Sequence, residues 1–370
     1  MKKIAIFFDG TWNSPNDSGD IEQGANTNVY KLQQAIAEQD RNGAPQITHY
    51  VAGVGTRWYN RVRGGVFGVG LDRNIKDGYS RLVDLYEDGD AIYVLGFSRG
   101  AYSARSLVGM IRNVGLVRKQ ANRSKQNEMI NWAYELYRIR DEGADSPSAK
   151  VFREEFSRES RIQVHFLGVW DTVGALGVPL RSFGWFNARR YEFHDTELSG
   201  IVDNAFHAIA VDEHRSNYEP TLWAPKNKPN QRLEQVWFSG AHADVGGGYQ
   251  DARLADIALH WMAARLRECD LDVDPDKLPA VGPDNVMAPL HDSFARFLKG
   301  AYQRVSSRVY RPLGTQRYGN ETLDGSVRER LERCEDYRPG NIVQSHLRVE
   351  GADLGEIARL KNLRSMPAVS

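Results

Sequence analysis

A serine set between two glycines, where a strand-like pattern hands over to a helix-like one, restricts this chain more than any other feature. Gly96-Phe97-Ser98-Arg99-Gly100 closes the apolar run Ala91 to Gly96 and opens Ala101 to Val117, in which Ala104, Leu107, Val108, Ile111 and Val114 fall on one helical face. A strand, a tight turn and a helix therefore meet at Ser98. GxSxG in this setting is the nucleophile elbow: the serine rides a sharp turn that lifts its hydroxyl clear of a sheet, and a side chain at either glycine would strike neighbouring backbone. The bare pattern would arise by chance in a chain of this composition with a probability of roughly 0.2, so the flanking strand and helix carry its weight.

The surrounding sequence keeps to the same alternation. Lys3 to Phe8, Ile47 to Val54, Ala91 to Gly96, Ile162 to Trp170 and Leu233 to Phe238 read as strands, the last being the final clear one, while Asn28 to Ala37, Asn74 to Tyr86 and Leu254 to Leu266 carry helical spacing. Such alternation predicts an α/β fold of the α/β-hydrolase type, a mostly parallel central sheet flanked by helices, with helical insertions. Residues 1–270 are expected to form the catalytic domain. Within it, the highly charged stretch 119–160 reads as a helical insertion, and 178–200, which holds Phe183, Trp185, Phe186, Tyr191 and Phe193, as an aromatic loop beside a pocket. Residues 271–370, rich in proline at first and without clear periodicity, are expected to be an appendage packed on the same domain.

Charge and apolar run length exclude other classes. Lys and Arg number 48, as do Asp and Glu, so the formal net charge is zero, and no block of like charge suits nucleic acid or a polybasic membrane anchor. The apolar runs are strand-sized, well short of the roughly 20 residues of a membrane-spanning helix. Ile4 to Phe8 is too short for a signal-peptide core. The expectation is a protein cytoplasmic in the cell that makes it, with any membrane contact peripheral. Cys269 and Cys334 are isolated and read as thiols in a reducing compartment, not as a disulfide.

A serine hydroxyl becomes a useful nucleophile only when a base takes its proton and a carboxylate orients that base. In α/β-hydrolases the acid and then the histidine follow the serine, each in a loop after a strand. Asp171 directly follows Gly168-Val169-Trp170, and His242 sits four residues past Val236-Trp237-Phe238. Among other histidines, His165 lies mid-strand and His260 within a helix, while His207, His214 and His291 lack the post-strand setting. Asp212 and Asp244 stay open as alternative orienting acids or as supporting groups. The oxyanion of the tetrahedral intermediate needs backbone donors, one expected from Arg99 and a second from Thr11 or Gly10 in the loop Asp9-Gly10-Thr11. Asp9 would hold that loop through side-chain to backbone hydrogen bonds.

Five stretches together resemble a known family. Phe8-Asp9-Gly10-Thr11-Trp12-Asn13, Gly96-Phe97-Ser98-Arg99-Gly100-Ala101-Tyr102, Val169-Trp170-Asp171-Thr172-Val173-Gly174, Ile209-Ala210-Val211-Asp212-Glu213 and the run from Trp237 to Tyr249 are similar, in order, to the landmarks of the domain of unknown function 2235. This α/β-hydrolase family includes the first class of type VI secretion lipase effectors. The resemblance covers residues 3 to about 265. It implies Ser98, Asp171 and His242 as a catalytic triad and a lipase or phospholipase activity. For the effector branch it implies delivery into rival bacteria, with a secretion apparatus and an immunity protein as partners.

The expected function is hydrolysis of carboxylic esters, of lipids or phospholipids by preference, through an acyl-serine intermediate, without cofactor or metal. Two rivals stay open. One is a non-enzymatic binding module on the same fold; the other is a metal-dependent hydrolase using His242, Asp244 and Asp9, although no HExxH or comparable ligand pair is present. A phosphatase with an aspartate nucleophile opening DxDxT is a poorer match, because Thr11 stands where a second aspartate is needed. Gly64 to Gly70 lacks the ending of a phosphate cradle and reads as a flexible loop near the mouth of the site.

Overall fold

The computed structural model describes residues 1–10, 25–53, 66–139, 143–158, 162–173, 197–225, 228–304, 306–314, 320–344 and 348–349. Apolar residues that alternate along a strand need cover on both faces. In β1 (Lys3–Phe8), Ile4, Ile6 and Phe8 face one core and Ala5 and Phe7 the other; in β3 (Ala91–Phe97), Ile92 and Val94 are divided in the same way from Tyr93, Leu95 and Phe97. β2 (Gln46–Val51), β4 (Val164–Trp170), β5 (Val202–Ala210), β6 (Arg232–Phe238), β7 (Glu321–Leu323) and β8 (Arg348–Val349) complete one sheet. Its order is β2-β1-β3-β4-β5-β6-β7-β8, and every pairing is parallel.

Helices cover both faces, as a buried parallel sheet requires. α2 (Val66–Leu85), α3 (Arg99–Val114), α4 (Arg123–Arg138) and α5 (Pro147–Phe156) pack on the side of Ile4 and Val94. α1 (Asn28–Ala35) packs on the other, with α7 (Arg253–Glu268), which follows the short α6 (His242–Gly246). Local chemistry starts these helices. Thr27 caps α1 by accepting from the Tyr30 amide, Asn122 caps α4, and Ser146 caps α5 with Pro147 at its first position. This is the α/β-hydrolase-like architecture expected from the sequence.

The chain leaves β1 for β2 on one side and returns to β3 on the other, so the order reverses between β1 and β3. Crevices form at the carboxyl ends of strands at such a reversal. Asp9 and Ser98 stand at those two ends. Gly100 brings them together: a Cβ there would run into the carbonyl oxygens of Phe8 and Asp9.

Several elements differ from the sequence reading. α2 begins at Val66, so the stretch 64–70 is helical from that residue on and is not a loop. Glycine costs a helix about 1 kcal/mol without forbidding it, and Phe67, Leu71, Ile75 and Tyr79 continue one four-residue spacing. β5 was not expected, because Asp203, Asn204 and His207 interrupt its apolar run; Asn204 is accommodated by donating to the His165 carbonyl at 2.9 Å. β7 and β8 extend the sheet past the expected last strand and are too short to leave a periodic signal. A third core joins Ile209, Val211 and Trp237 to Leu323, Val327 and Leu331, the last two from α8 (Gly325–Arg333). Most of the aromatic stretch 178–200 lies outside the described residues.

Replacing Gly100 by alanine should destabilise the chain by about 1–3 kcal/mol, the usual cost of overpacking. Urea unfolding of Gly100→Ala beside Gly89→Ala, whose surroundings are open but whose φ, unlike that of Gly100, is positive, separates the steric effect from backbone strain.

Candidate active site

The site is built from the ends of three strands. Ser98 follows β3 at φ 57° and ψ −122°, a conformation that non-glycine residues rarely adopt and that stores strain in the turn. Its amide donates to the Trp170 carbonyl at the end of β4 (3.0 Å), and its carbonyl accepts from Tyr102 in α3 (3.2 Å). Gly96 is needed because a Cβ there would lie 2.5 Å from the Gly100 carbonyl oxygen. Arg99, directly after Ser98, opens α3.

His242 opens α6 after β6 and is buried. Its Nε2 lies 2.8 Å from Ser98 Oγ, and its Nδ1 lies 2.5 Å from Asp171 Oδ2. The ring packs against Phe97 and Tyr218, with centroids 4.7 and 5.0 Å away. Gly246 allows this approach, since a Cβ there would collide with the Phe97 ring. Burial lowers the imidazole's pKa below its ordinary value, although Asp171 pulls the other way. The ring is therefore held as a neutral base around pH 7.

Asp171 directly follows β4 at φ 38° and has no exposed surface. Its Oδ1 accepts from the Ala210 amide (3.0 Å) and from Arg311 Nη1 (2.7 Å); its Oδ2 accepts from Arg311 Nη2 (3.1 Å) and faces His242. Burial alone would raise this carboxyl, but the Arg311 guanidinium and the His242 bond hold it well below the usual carboxylate range.

The remaining candidates occupy other networks. Asp212 accepts from the Gly240 amide (2.7 Å) and the Tyr337 hydroxyl (2.9 Å) and fixes the turn before His242. Asp244 accepts from the Ala241 and His291 amides and meets His291 Nδ1 at 2.6 Å, while the His291 ring stacks on Tyr249 at 3.8 Å. Asp9 accepts from the Gly10 amide (2.6 Å), Thr27 Oγ1 (2.7 Å) and the Tyr50 hydroxyl (2.5 Å). Gly10 was expected as an oxyanion donor, but its amide is engaged by Asp9, and the reason is the short reach of an aspartate to the next backbone N–H. Thr11 lies outside the described residues. His242, Asp244 and Asp9 thus bind three separate sets of partners, and among the described residues no group of three or more His, Cys, Asp or Glu could hold a metal ion.

Sequence reasoning missed Glu213, Arg215, Tyr218 and Arg311. Glu213 accepts from the His242 amide (3.3 Å), from Ser293 Oγ (2.9 Å) and from the Arg215 guanidinium. Arg215 in turn lies 3.5 Å over the Tyr218 ring. Glu213 adjoins Asp212 in a stretch already singled out, so a post-strand signal existed for it. Arg311 had none.

A family model described as type VI secretion system phospholipase effector Tle1-like catalytic domain matches residues 2–265. The chain belongs to this family. An uncharacterized protein of Saccharomyces cerevisiae is 29% identical over 246 residues, which are 60% of this Tle1-like chain and 33% of that protein. Among solved structures, an uncharacterized protein from Pseudomonas aeruginosa has a TM-score of 0.43 at 18% identity, covering 77% of this chain and 48% of that one. A Tle1 effector bound to the VgrG spike of the type VI secretion system has a TM-score of 0.41 at 22% identity, covering 67% and 51%. The chain thus spans about a third of the curated relative it matches.

Asp9 gives a pH test. Burial outweighs its three donors and raises its pKa from 3.8 to about 6. The folded state then keeps a proton that the unfolded state has released, so this residue's contribution to stability falls as pH rises from about 4 to about 6. Urea unfolding should show wild type losing up to about 3 kcal/mol relative to Asp9→Asn across that window; a constant difference refutes the expectation.

Proposed function

We propose that this chain is the catalytic part of a serine esterase of the phospholipase effector type, acting on lipid acyl esters. The observation that carries the reading is the continuous hydrogen-bonded chain from Ser98 Oγ through both nitrogens of His242 to Asp171. In this mechanism His242 Nε2 takes the Ser98 proton as Oγ attacks the ester carbonyl. Asp171 accepts from Nδ1, fixes the tautomer and stabilises the imidazolium. The proposed donors to the developing oxyanion are the backbone amides of Arg99 and, from its place in the sequence, Thr11. The imidazolium then protonates the departing alcohol, and His242 activates the water that releases the fatty acid from Ser98.

The family description supports the lipid substrate and a role as an effector handed to a secretion apparatus; an immunity protein guarding the producer is proposed with that role. No described helix is long and apolar enough to cross a membrane, so contact with lipid through the described helices would be at the surface. Residues 1–270 would carry the nucleophile, base and acid, and the described part of 271–370 adds β7, β8 and Arg311 to the same sheet and site.

Wild type should be labelled by a fluorophosphonate and should release fatty acid from a mixed lipid extract, read by mass spectrometry. Ser98→Ala should lose both, and a chelator should leave both intact. A folded wild type that takes no label refutes the reading and favours a binding module. Asp171→Asn should lower kcat by about 10⁴, with much smaller losses for Asp212→Asn and Asp244→Asn; equal losses would remove Asp171 from its role.

A further inference from the structure

We propose that Arg311 is a positioning residue for the acid and base: it clamps the Asp171 carboxylate in the orientation His242 requires and offsets its charge, so that the imidazole stays available as a base. This inference rests on the serine-esterase reading above and adds a residue that lies outside the matched segment 2–265.

Arg311 is 3% exposed and 140 residues from Asp171 in sequence. Its two terminal nitrogens meet the two carboxylate oxygens at 2.7 and 3.1 Å, the fork geometry that fixes a carboxylate plane. The same nitrogens donate to the carbonyls of Ala210 (2.7 Å) and Tyr218. Ala210 also donates its amide to Asp171, and the Tyr218 ring packs on His242. The guanidinium therefore ties together the acid, the end of β5 and one wall of the base. A lysine could neutralise the charge but could not span these acceptors in one plane.

The charges around His242 balance without it. Asp171 and Glu213 supply two negative groups, and Arg215 and Arg311 two positive ones. Ser98 and Tyr218 add neutral groups. His207, behind Asp171 on β5, is lowered to about 3 by burial and the nearby Arg105 and so is also neutral. A protonated His242 would be a fifth, uncompensated charge in a buried cluster. Removing the Arg311 charge leaves the cluster one unit negative, which favours the imidazolium.

The test is the pH dependence of fluorophosphonate labelling of Ser98 in the full chain, for wild type, Arg311→Met and Arg311→Lys, with folding checked by circular dichroism. Arg311→Met should label about tenfold more slowly and shift the acidic limb upward by about one pH unit, the effect of losing one nearby charge. Arg311→Lys should label more slowly than wild type with its acidic limb unmoved. A folded Arg311→Met with the wild-type rate and limb overturns the proposal. If that variant does not fold, Arg311→Lys decides, and the wild-type rate in it overturns the proposal; failure of both to fold overturns it too, by assigning Arg311 to stability. Absence of label in wild type would instead defeat the esterase reading, before any change at Arg311 is considered.

Discussion

A carboxylate without exposed surface keeps its charge only where donors replace the water it has lost. Asp171 is that carboxylate, and much of the architecture converges on replacing its hydration. The end of β4 delivers it, the end of β5 contributes an amide, the loop after β6 brings an imidazole, and a segment beyond α7 brings a guanidinium. No short peptide could assemble these four pieces. The parallel sheet can, because its strands all finish on the same rim.

The serine depends on a different constraint, which is space. Ser98 can hold its strained turn because Gly96 and Gly100 let strand, helix and the β1 carbonyls approach within distances that any side chain would forbid. Phe97 then packs on His242, and Gly246 leaves room for it. Steric crowding positions the hydroxyl and electrostatics position its base. The two meet across a single hydrogen bond.

Legibility from sequence followed the range of each signal. β1, β3, β4 and β6 were legible because each ends in an apolar run, which in β4 follows His165 and in β6 follows Glu234 and Gln235, and Ser98, Asp171 and His242 could be singled out because each sits within four residues of such an end. β5 was hidden by Asp203, Asn204 and His207, whose compatibility with a buried strand depends on partners elsewhere in the chain. The direction of the Gly10 amide was not legible, because glycine permits many amide directions and the neighbouring Asp9 carboxylate selects one. Arg311 left no trace, since an arginine in a stretch with weak periodicity looks like any solvated surface residue until its partner 140 positions away is known.

The dependence of Asp171 on Arg311 means that two different boundaries apply to this molecule. The family match ends at residue 265, whereas the cation that pairs with Asp171 is residue 311. A fragment trimmed to residues 2–265 would retain Ser98, His242 and Asp171 yet strand an anion in its interior.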